Sequence, residues 1–280
     1  MKIIADCGAT KSEWAIIHSN GEIRRLIADG VNVSAMSAES IIGIISDIAK
    51  RISATDISAA EIYLYVAGVP SEQTINLIRD TFQTHLSVTK LSIESDLLGA
   101  ARAVCGHKPG IAAILGTGSN SCMYDGEQII KRVYSGGFIL GDEGSAATLG
   151  KLFISDFLKG IVPDEIATEF SALYPTDYTT IVSNVYRSNA SPSGYLGSFA
   201  PFILKHYDNP YIKELVESNF RNFIRRALRQ YDIQTLEVGI VGGFGYATKD
   251  IFLNLAKEEN IRISRFISHP IEGLIEYHLQ

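Results

Sequence analysis

The sequence predicts an α/β protein of two lobes, and three observations carry that prediction. The chain has 280 residues, more than one hydrophobic core comfortably serves. Short apolar runs alternate with segments of helical spacing from end to end. The pattern also restarts: Lys2 to Ile27 and Gly110 to Val133 each read as strand, glycine turn, strand, hairpin, strand. Asn20-Gly21-Glu22 in the first copy stands where Asp125-Gly126-Glu127 stands in the second, and both Asn-Gly and Asp-Gly favour tight hairpins. Order and turn chemistry, rather than identity, mark a duplicated meander.

Taken in order, KIIADCGA is a strand ending at a glycine turn, and EWAIIHS and EIRRLIAD are the strands that follow. SAESIIGIISDIAKRIS has apolar residues at helical spacing with Ser37 as N-cap. EIYLYVAGV is a buried strand, SEQTINLIRDTFQTHL a helix capped by Ser71, VTKLSIES a strand, and DLLGAARAV a helix. The boundary falls near Gly106-His107-Lys108-Pro109-Gly110. This gives lobes 1–108 and 109–280, with the last helix a candidate to pack back on the first lobe. Beyond the second meander come the helices SAATLGKLFISDFLKGI, PDEIATEFSALY and TTIVSNVYR, then a turn-rich, exposed stretch, RSNASPSGYLG. Tyr211 to Tyr231 is one long amphipathic helix. LEVGIVGGFGYATKDIFLNLAKEE is strand, glycine turn and helix, IRISRFI the last strand, and HPIEGLIEYHL the last helix.

Composition narrows the function classes. A hydrophobic share of 46% suits a soluble globular protein. A net charge of -6 opposes general binding to nucleic acid or anionic membranes, which needs a basic face. Phosphate binding stays open to an acidic protein through backbone N–H groups and a cation. Cys7, Cys105 and Cys122 lack CxxC spacing, which fits a reducing cytoplasm without a disulfide framework. The six histidines include no HExxH, so a protein-ligated zinc is not expected. The first residues enter a strand directly, and no apolar run has the ~20 residues of a membrane helix. These features predict a soluble cytoplasmic protein.

The glycine turns carry the candidate chemistry. Polyphosphate binding needs several N–H donors aimed at one point and no bulky side chains in the way. Gly8, Ala9 and Thr10 supply such a turn, with the Thr10 hydroxyl and the Lys11 ammonium as further donors. Asp6 suits a Mg²⁺ held through water. Gly116, Thr117 and Gly118 form a second donor turn, and two such turns across a cleft would grip a triphosphate. The turn Gly242-Gly243-Phe244-Gly245 offers room for a flat base or ribose. Alone, each turn is more simply a structural hairpin. There is no GxxxxGK[ST], and GTGSNS leads into a strand rather than a helix, which disfavours P-loop and dinucleotide-binding readings.

The order of the turns resembles the sugar-kinase/Hsp70/actin superfamily. More closely, the chain is similar to the N-acetylglucosamine kinase-like members of the BadF/BadG/BcrA/BcrD ATPase group, along essentially its whole length. DCGATKSEW matches the first phosphate motif, LGTGSN the second, SGGFILGDEGSA the glycine-rich sugar loop and VGGFGYA the adenosine motif. The resemblance implies two ribonuclease H-like, actin-like ATPase lobes with a nucleotide and sugar cleft between them. It implies phosphoryl transfer from Mg²⁺-ATP to an amino sugar or hexose, N-acetylglucosamine or glucosamine at the 6-hydroxyl first among them. It also implies a homodimer.

Roles follow residue by residue. Asp96 in SIESDLLGAA matches the family's catalytic aspartate, a general base favoured by the helix N-terminus behind it. Read from its residues alone, the same stretch equally places Ser95 or Asp96 as a helix cap. Asn32, Thr117, Asn120, Gly137, Asp142 and Glu143 match sugar-recognising positions. For Asn32 the plain alternative is a turn residue, and for Asp142 and Glu143 favourable charge at a helix start. The chain departs from the pattern at Cys7 and Ala9, where the family has glycines, and at Ile139 in a shortened sugar loop. The departure at Cys7 raises the expectation of an oxidation-sensitive site. Arg221, Arg225, Arg226 and Arg229 read as a solvated helix face, one of them a candidate for the nucleotide or a second subunit. Two other readings compete: an iron–sulfur ATPase activator, whose thiolates this cysteine spacing does not supply, and a nucleotide-dependent switch without sugar transfer.

Overall fold

The structure is a computed structural model that describes every residue except 9, 10, 34, 35, 55–58, 69 and 188–190. In chain order the strands are β1 (Lys2–Cys7), β2 (Lys11–Ile17), β3 (Ile23–Asp29), β4 (Ala60–Val66), β5 (Val88–Ser95), β6 (Gly110–Leu115), β7 (Ser119–Tyr124), β8 (Ile129–Val133), β9 (Val238–Val241) and β10 (Ile263–Ile267). The helices are α1 (Ala38–Ser53), α2 (Glu72–Gln83), α3 (Asp96–Cys105), α4 (Gly137–Leu140), α5 (Ala146–Leu158), α6 (Asp164–Leu173), α7 (Tyr178–Tyr186), α8 (Pro192–Gly197), α9 (Ala200–Lys205), α10 (Pro210–Arg226), α11 (Gly243–Ala247), α12 (Lys249–Glu258) and α13 (Ile271–Leu279). The chain divides into two compact units, Met1–His107 with Pro270–Gln280, and Lys108–His269.

Each unit is built on a five-stranded mixed sheet, ordered β3-β2-β1-β4-β5 in the first and β10-β9-β6-β7-β8 in the second. In both, an antiparallel meander is extended by two parallel strands. The two sheets therefore repeat one topology, as the two meanders predict. The hairpins repeat as well. Gly21 (φ +85°) closes the first, and Asp125 closes the second by accepting from the amides of Glu127 and Gln128 at 2.8 Å.

In the first unit Ile3, Ala5 and Cys7 of β1 share one face with Trp14 and Ile16 of β2 and Ile62, Leu64 and Val66 of β4. Ile45, Ile48, Ile78 and Phe82 of α1 and α2 cover that face. Trp14 is wholly buried and its Nε1 donates to Ser12 Oγ at 2.8 Å, which leaves no unsatisfied indole. Ser37, Ser71 and Ser95 cap α1, α2 and α3, each accepting from the amide three residues on. α13 lies on α3 so closely that a Cβ on Gly273 would stand 2.2 Å from the Ala103 carbonyl oxygen. His278 of α13 is anchored by Tyr65 Oη at 2.8 Å, and burial with the cations Arg102 and Lys2 pushes its pKa down to about 4.

The second unit departs from the sequence reading in three places. The turn-rich stretch contains a helix, α8, capped by Ser191 with Pro192 at its start. Its Leu196 is buried, because Gly150 of α5 lets the Leu196 carbonyl approach to where a Cβ would stand at 1.9 Å. The long helix ends at Arg226, and a 3₁₀ turn over Leu228–Gln230 replaces its last turn. That break carries Tyr231 inward, where its hydroxyl meets Ser121 Oγ at 3.0 Å and accepts the Val133 amide at 2.8 Å. Third, the glycine turn after β9 is largely helical: Gly243–Ala247 forms α11, and Phe244 stacks on Phe220 at 5.6 Å.

The close approach at Gly273 predicts that Gly273→Ala forces α13 off α3. The expected cost is about 1–3 kcal/mol of stability, read as a lowered midpoint in thermal or urea unfolding.

Candidate functional site

Sheet register builds the first half of the site. Asp6, one residue before the core-facing Cys7, points to the opposite face of the sheet. It pairs directly with Glu13 on β2 and with Tyr65 on β4. Glycine at position 99 lets α3 settle on Tyr65, since a Cβ there would stand 2.8 Å from the ring. One turn earlier on that helix is Asp96, whose charge reaches Asp6. Burial, then Asp96, then Glu13 raise the Asp6 pKa to about 7. The structure therefore brings Asp6 and Asp96 together and adds Glu13, which the sequence reading missed. Its signal was the antiparallel register of Asp6 against Glu13, visible only once the hairpin is paired.

Asp96 is the first residue of α3, and Ser95 is its cap, accepting from Leu98 N at 3.2 Å. Asp96 Oδ1 accepts from Leu97 N at 2.8 Å. The cap is thus supplied by the neighbouring serine, and the carboxylate sits at the positive end of a ten-residue helix. Gly8 lies beyond β1, its carbonyl accepting from Val31 N at 3.0 Å. Lys11 is turned to Glu13, with Nζ 2.6 Å from Oε1. Ala9 and Thr10 lie outside the described residues. Asn32 bridges to Ala67, and its carbonyl accepts from Met36 N at 3.0 Å.

The second unit carries the other turn. Gly116 N donates to the Gly118 carbonyl at 2.9 Å, and the carbonyls of Gly116 and Thr117 accept from Ala146 and Ala147 at the start of α5. Asp142 packs against this turn: a Cβ on Gly118 would meet its Oδ2 at 2.9 Å. Its carboxylate accepts from the Ser119 amide and the Ser135 hydroxyl, and burial nonetheless raises its pKa. Asp142 adopts φ +55°, an unusual backbone for a side chain other than glycine and one that collects at functional sites. Gly242 (φ +121°) abuts the same turn, 2.5 Å from the Leu115 carbonyl oxygen at its would-be Cβ. Only Gly243 keeps open space above it, so the room expected across the whole glycine turn contracts to that residue.

A cavity of about 180 Å³ opens beside this turn, lined by Ser119, Asn120, Ser121, Tyr134, Ser135, Leu140, Glu143 and Arg226. Asn120 and Glu143 are thereby brought together, while Thr117 and Gly137 stand outside the lining. Arg226 Nη1 pairs with Glu143 Oε1 at 2.9 Å. Of the four helix arginines it is the one at the candidate site. Arg221 pairs with Glu217 and Glu258, Arg229 with Glu259, and Arg225 donates to Asn222.

Cys7 is a correction. It is wholly buried in the core, and burial with the neighbouring Asp6 charge pushes its thiol well above the usual range. A thiol so placed is a poor target for oxidation. Cys122 is also wholly buried, so no set of exposed thiolates is offered to a cluster. Among the described residues no three His, Cys, Asp or Glu side chains are grouped to hold a metal. Nor is any helix among them long and apolar enough to cross a membrane. Asp6 and Asp96 nonetheless fit a hard cation: a carboxylate whose proton affinity is raised by burial and by a second carboxylate would be relieved by Mg²⁺, which takes oxygen ligands.

No protein-family model matches the chain, and no curated protein matches it. A solved structure of a candidate N-acetylglucosamine kinase from Porphyromonas gingivalis is similar at 32% identity and a TM-score of 0.89, over 99% of this chain and 98% of that one. A candidate N-acetylglucosamine kinase from Chromobacterium violaceum is similar at 20% identity and a TM-score of 0.77, over 100% and 98%. A ROK-family glucokinase from Streptomyces griseus, solved with glucose and AMPPNP, has a TM-score of 0.51 at 14% identity, over 99% and 97%. The last two show the fold.

Because Asp6 has its pKa raised in the folded state, it is protonated there at pH values where the unfolded chain is ionised. Its ionised form therefore costs stability above about pH 7, and the cost fades as pH falls toward about 4. Asp6→Asn is expected to raise the melting temperature at about pH 8, with the gain shrinking as pH falls below about 7 and vanishing only near pH 4. Melting curves of both proteins across that range check it.

Proposed function

We propose, because the chain belongs to the N-acetylglucosamine kinase-like family of ATP-dependent sugar kinases, that it transfers the γ-phosphoryl group of ATP to the 6-hydroxyl of N-acetylglucosamine or glucosamine. The observation that carries the reading is Asp96. It stands at the start of α3 beside Asp6, while Ser95 supplies the cap.

In this reading the Asp96 carboxylate accepts the proton of the attacking sugar hydroxyl as its oxygen bonds to the γ-phosphorus. The bond from that phosphorus to the β,γ-bridging oxygen breaks, ADP leaves, and Asp96 returns its proton to water. A bound Mg²⁺ supplies neutralisation of the phosphate charge. Asp6 would hold that ion through water, and a cation near it would favour its ionised form. The amides of Gly8, Ala9 and Thr10, and those of Thr117 and Gly118, donate to phosphate oxygens, while the Gly116 amide closes the second turn on the Gly118 carbonyl. Lys11 reaches the phosphates by exchanging its Glu13 partner for them. Gly242 shapes the chain so that Gly243 faces the nucleoside. Asn32, Thr117, Asn120, Gly137, Asp142 and Glu143 fix the sugar. Asp142 keeps acceptor capacity for this, since a carboxylate offers about four lone-pair sites and two donors hold it. The reading extends to a cytoplasmic homodimer. An iron–sulfur activator is disfavoured by the burial of Cys7 and Cys122.

The test is ADP release with Mg²⁺-ATP and a panel of N-acetylglucosamine, glucosamine, N-acetylmannosamine, glucose and no sugar. The expected outcome is sugar-dependent release that falls roughly 10²–10⁴-fold in Asp96→Asn. The melting temperature should hold, because asparagine can still accept the Leu97 amide. Release indifferent to sugar and to Asp96 would overturn the reading.

A further inference from the structure

We infer that the Glu143–Arg226 ion pair makes the sugar-side cavity of the second unit select a neutral acetamido sugar over a cationic amino sugar. The inference rests on the kinase reading for its ligand class and on geometry for the rest.

Three features of the cavity carry it. Its volume, about 180 Å³, lies below the ~300–1,000 Å³ of drug-sized pockets and suits a single small ring or its substituent. Its wall is hydroxylated and amidic, with Ser135 and Asn120, and has apolar area from Tyr134 and Leu140, the mixture that a sugar ring with an acetyl group presents. Its two charged groups, Glu143 and Arg226, are bound to each other at 2.9 Å.

That pairing decides the sign of the preference. An isolated glutamate in such a wall would attract the ammonium of glucosamine. Here the carboxylate is already neutralised by a guanidinium, and the cavity wall carries no net charge. A cationic ligand gains little from the carboxylate and is repelled by the arginine, while an uncharged acetamide meets donors and acceptors without giving up ionic hydration. Removing the arginine should expose the attraction that the pair conceals.

The loop behind the pair holds Glu143 in place. Gly141 packs under the Ser135 carbonyl, where a Cβ would stand at 1.7 Å, and that same Cβ would lie 3.4 Å from Glu143 Oε2. Arg226 comes from the last turn of α10, directly before the break that sends Tyr231 inward. The departure from a continuous helix is thus what leaves Arg226 as a terminal residue beside the cavity.

The experiment measures, by calorimetry at about pH 6, where the amine is protonated, the association constants of N-acetylglucosamine and glucosamine. Three proteins are compared: wild type, Arg226→Met and Glu143→Gln. Wild type is expected to favour N-acetylglucosamine. Arg226→Met is expected to shift the ratio toward glucosamine by roughly tenfold, and Glu143→Gln to shift it the opposite way. Opposite shifts establish the pair as a specificity determinant even where ADP release fails, which would sink the kinase reading alone. A ratio unmoved in both variants, shifts of the same sign, or no binding of either sugar would overturn the inference while leaving sugar-dependent ADP release to be judged separately.

Discussion

The register of β1 against β2 and β4 fixes where Asp6 stands, and much of the first unit is arranged around that placement. Asp6 is set opposite Glu13 and beside Tyr65. Tyr65 in turn carries α3 through the close approach at Gly99, and α3 begins at Asp96. A carboxylate that would be unremarkable in water is thereby buried next to two others, and its proton affinity rises by the combined effect of desolvation and like charge. Such an arrangement is costly for a protein to keep, and the proposed phosphoryl transfer would give it a use, with a cation at one carboxylate and a proton taken by another.

The second unit repeats the topology but applies the constraint differently. Its turn is not lined by acids in the strands. Instead, Asp142 is swung against Gly118 by a left-handed backbone and tied to Ser119 and Ser135. Gly242 closes on the other side of the same turn. The first meander therefore presents charge, and the second presents amides backed by one held carboxylate. That division matches what phosphoryl transfer asks of a protein, which is positioning and charge neutralisation rather than covalent chemistry.

What the sequence made legible was local chemistry. The hairpins at Asn20-Gly21 and Asp125-Gly126, and the serine caps at 37, 71 and 95, are dictated by neighbours a few residues away. The misreadings came from distant partners. α8 exists because Gly150 admits the Leu196 carbonyl, and α10 stops short because Tyr231 bonds to Ser121 and Val133. The same holds in the site. Asp6, Asp96 and Asp142 announce themselves in motifs, whereas Glu13 enters only through strand pairing and Arg226 only through an ion pair across 83 positions, from 143 to 226. The positive φ of Asp142 had no signal in composition or spacing.

The central claim is that Asp6 is placed to serve a phosphate-bound cation. Calorimetric binding of ADP, with and without Mg²⁺, in wild type and Asp6→Asn at about pH 8, tests it most directly. The account predicts that Mg²⁺ strengthens ADP binding to the wild-type protein roughly tenfold or more and that Asp6→Asn loses most of that gain. An equal effect of Mg²⁺ on both proteins would contradict it.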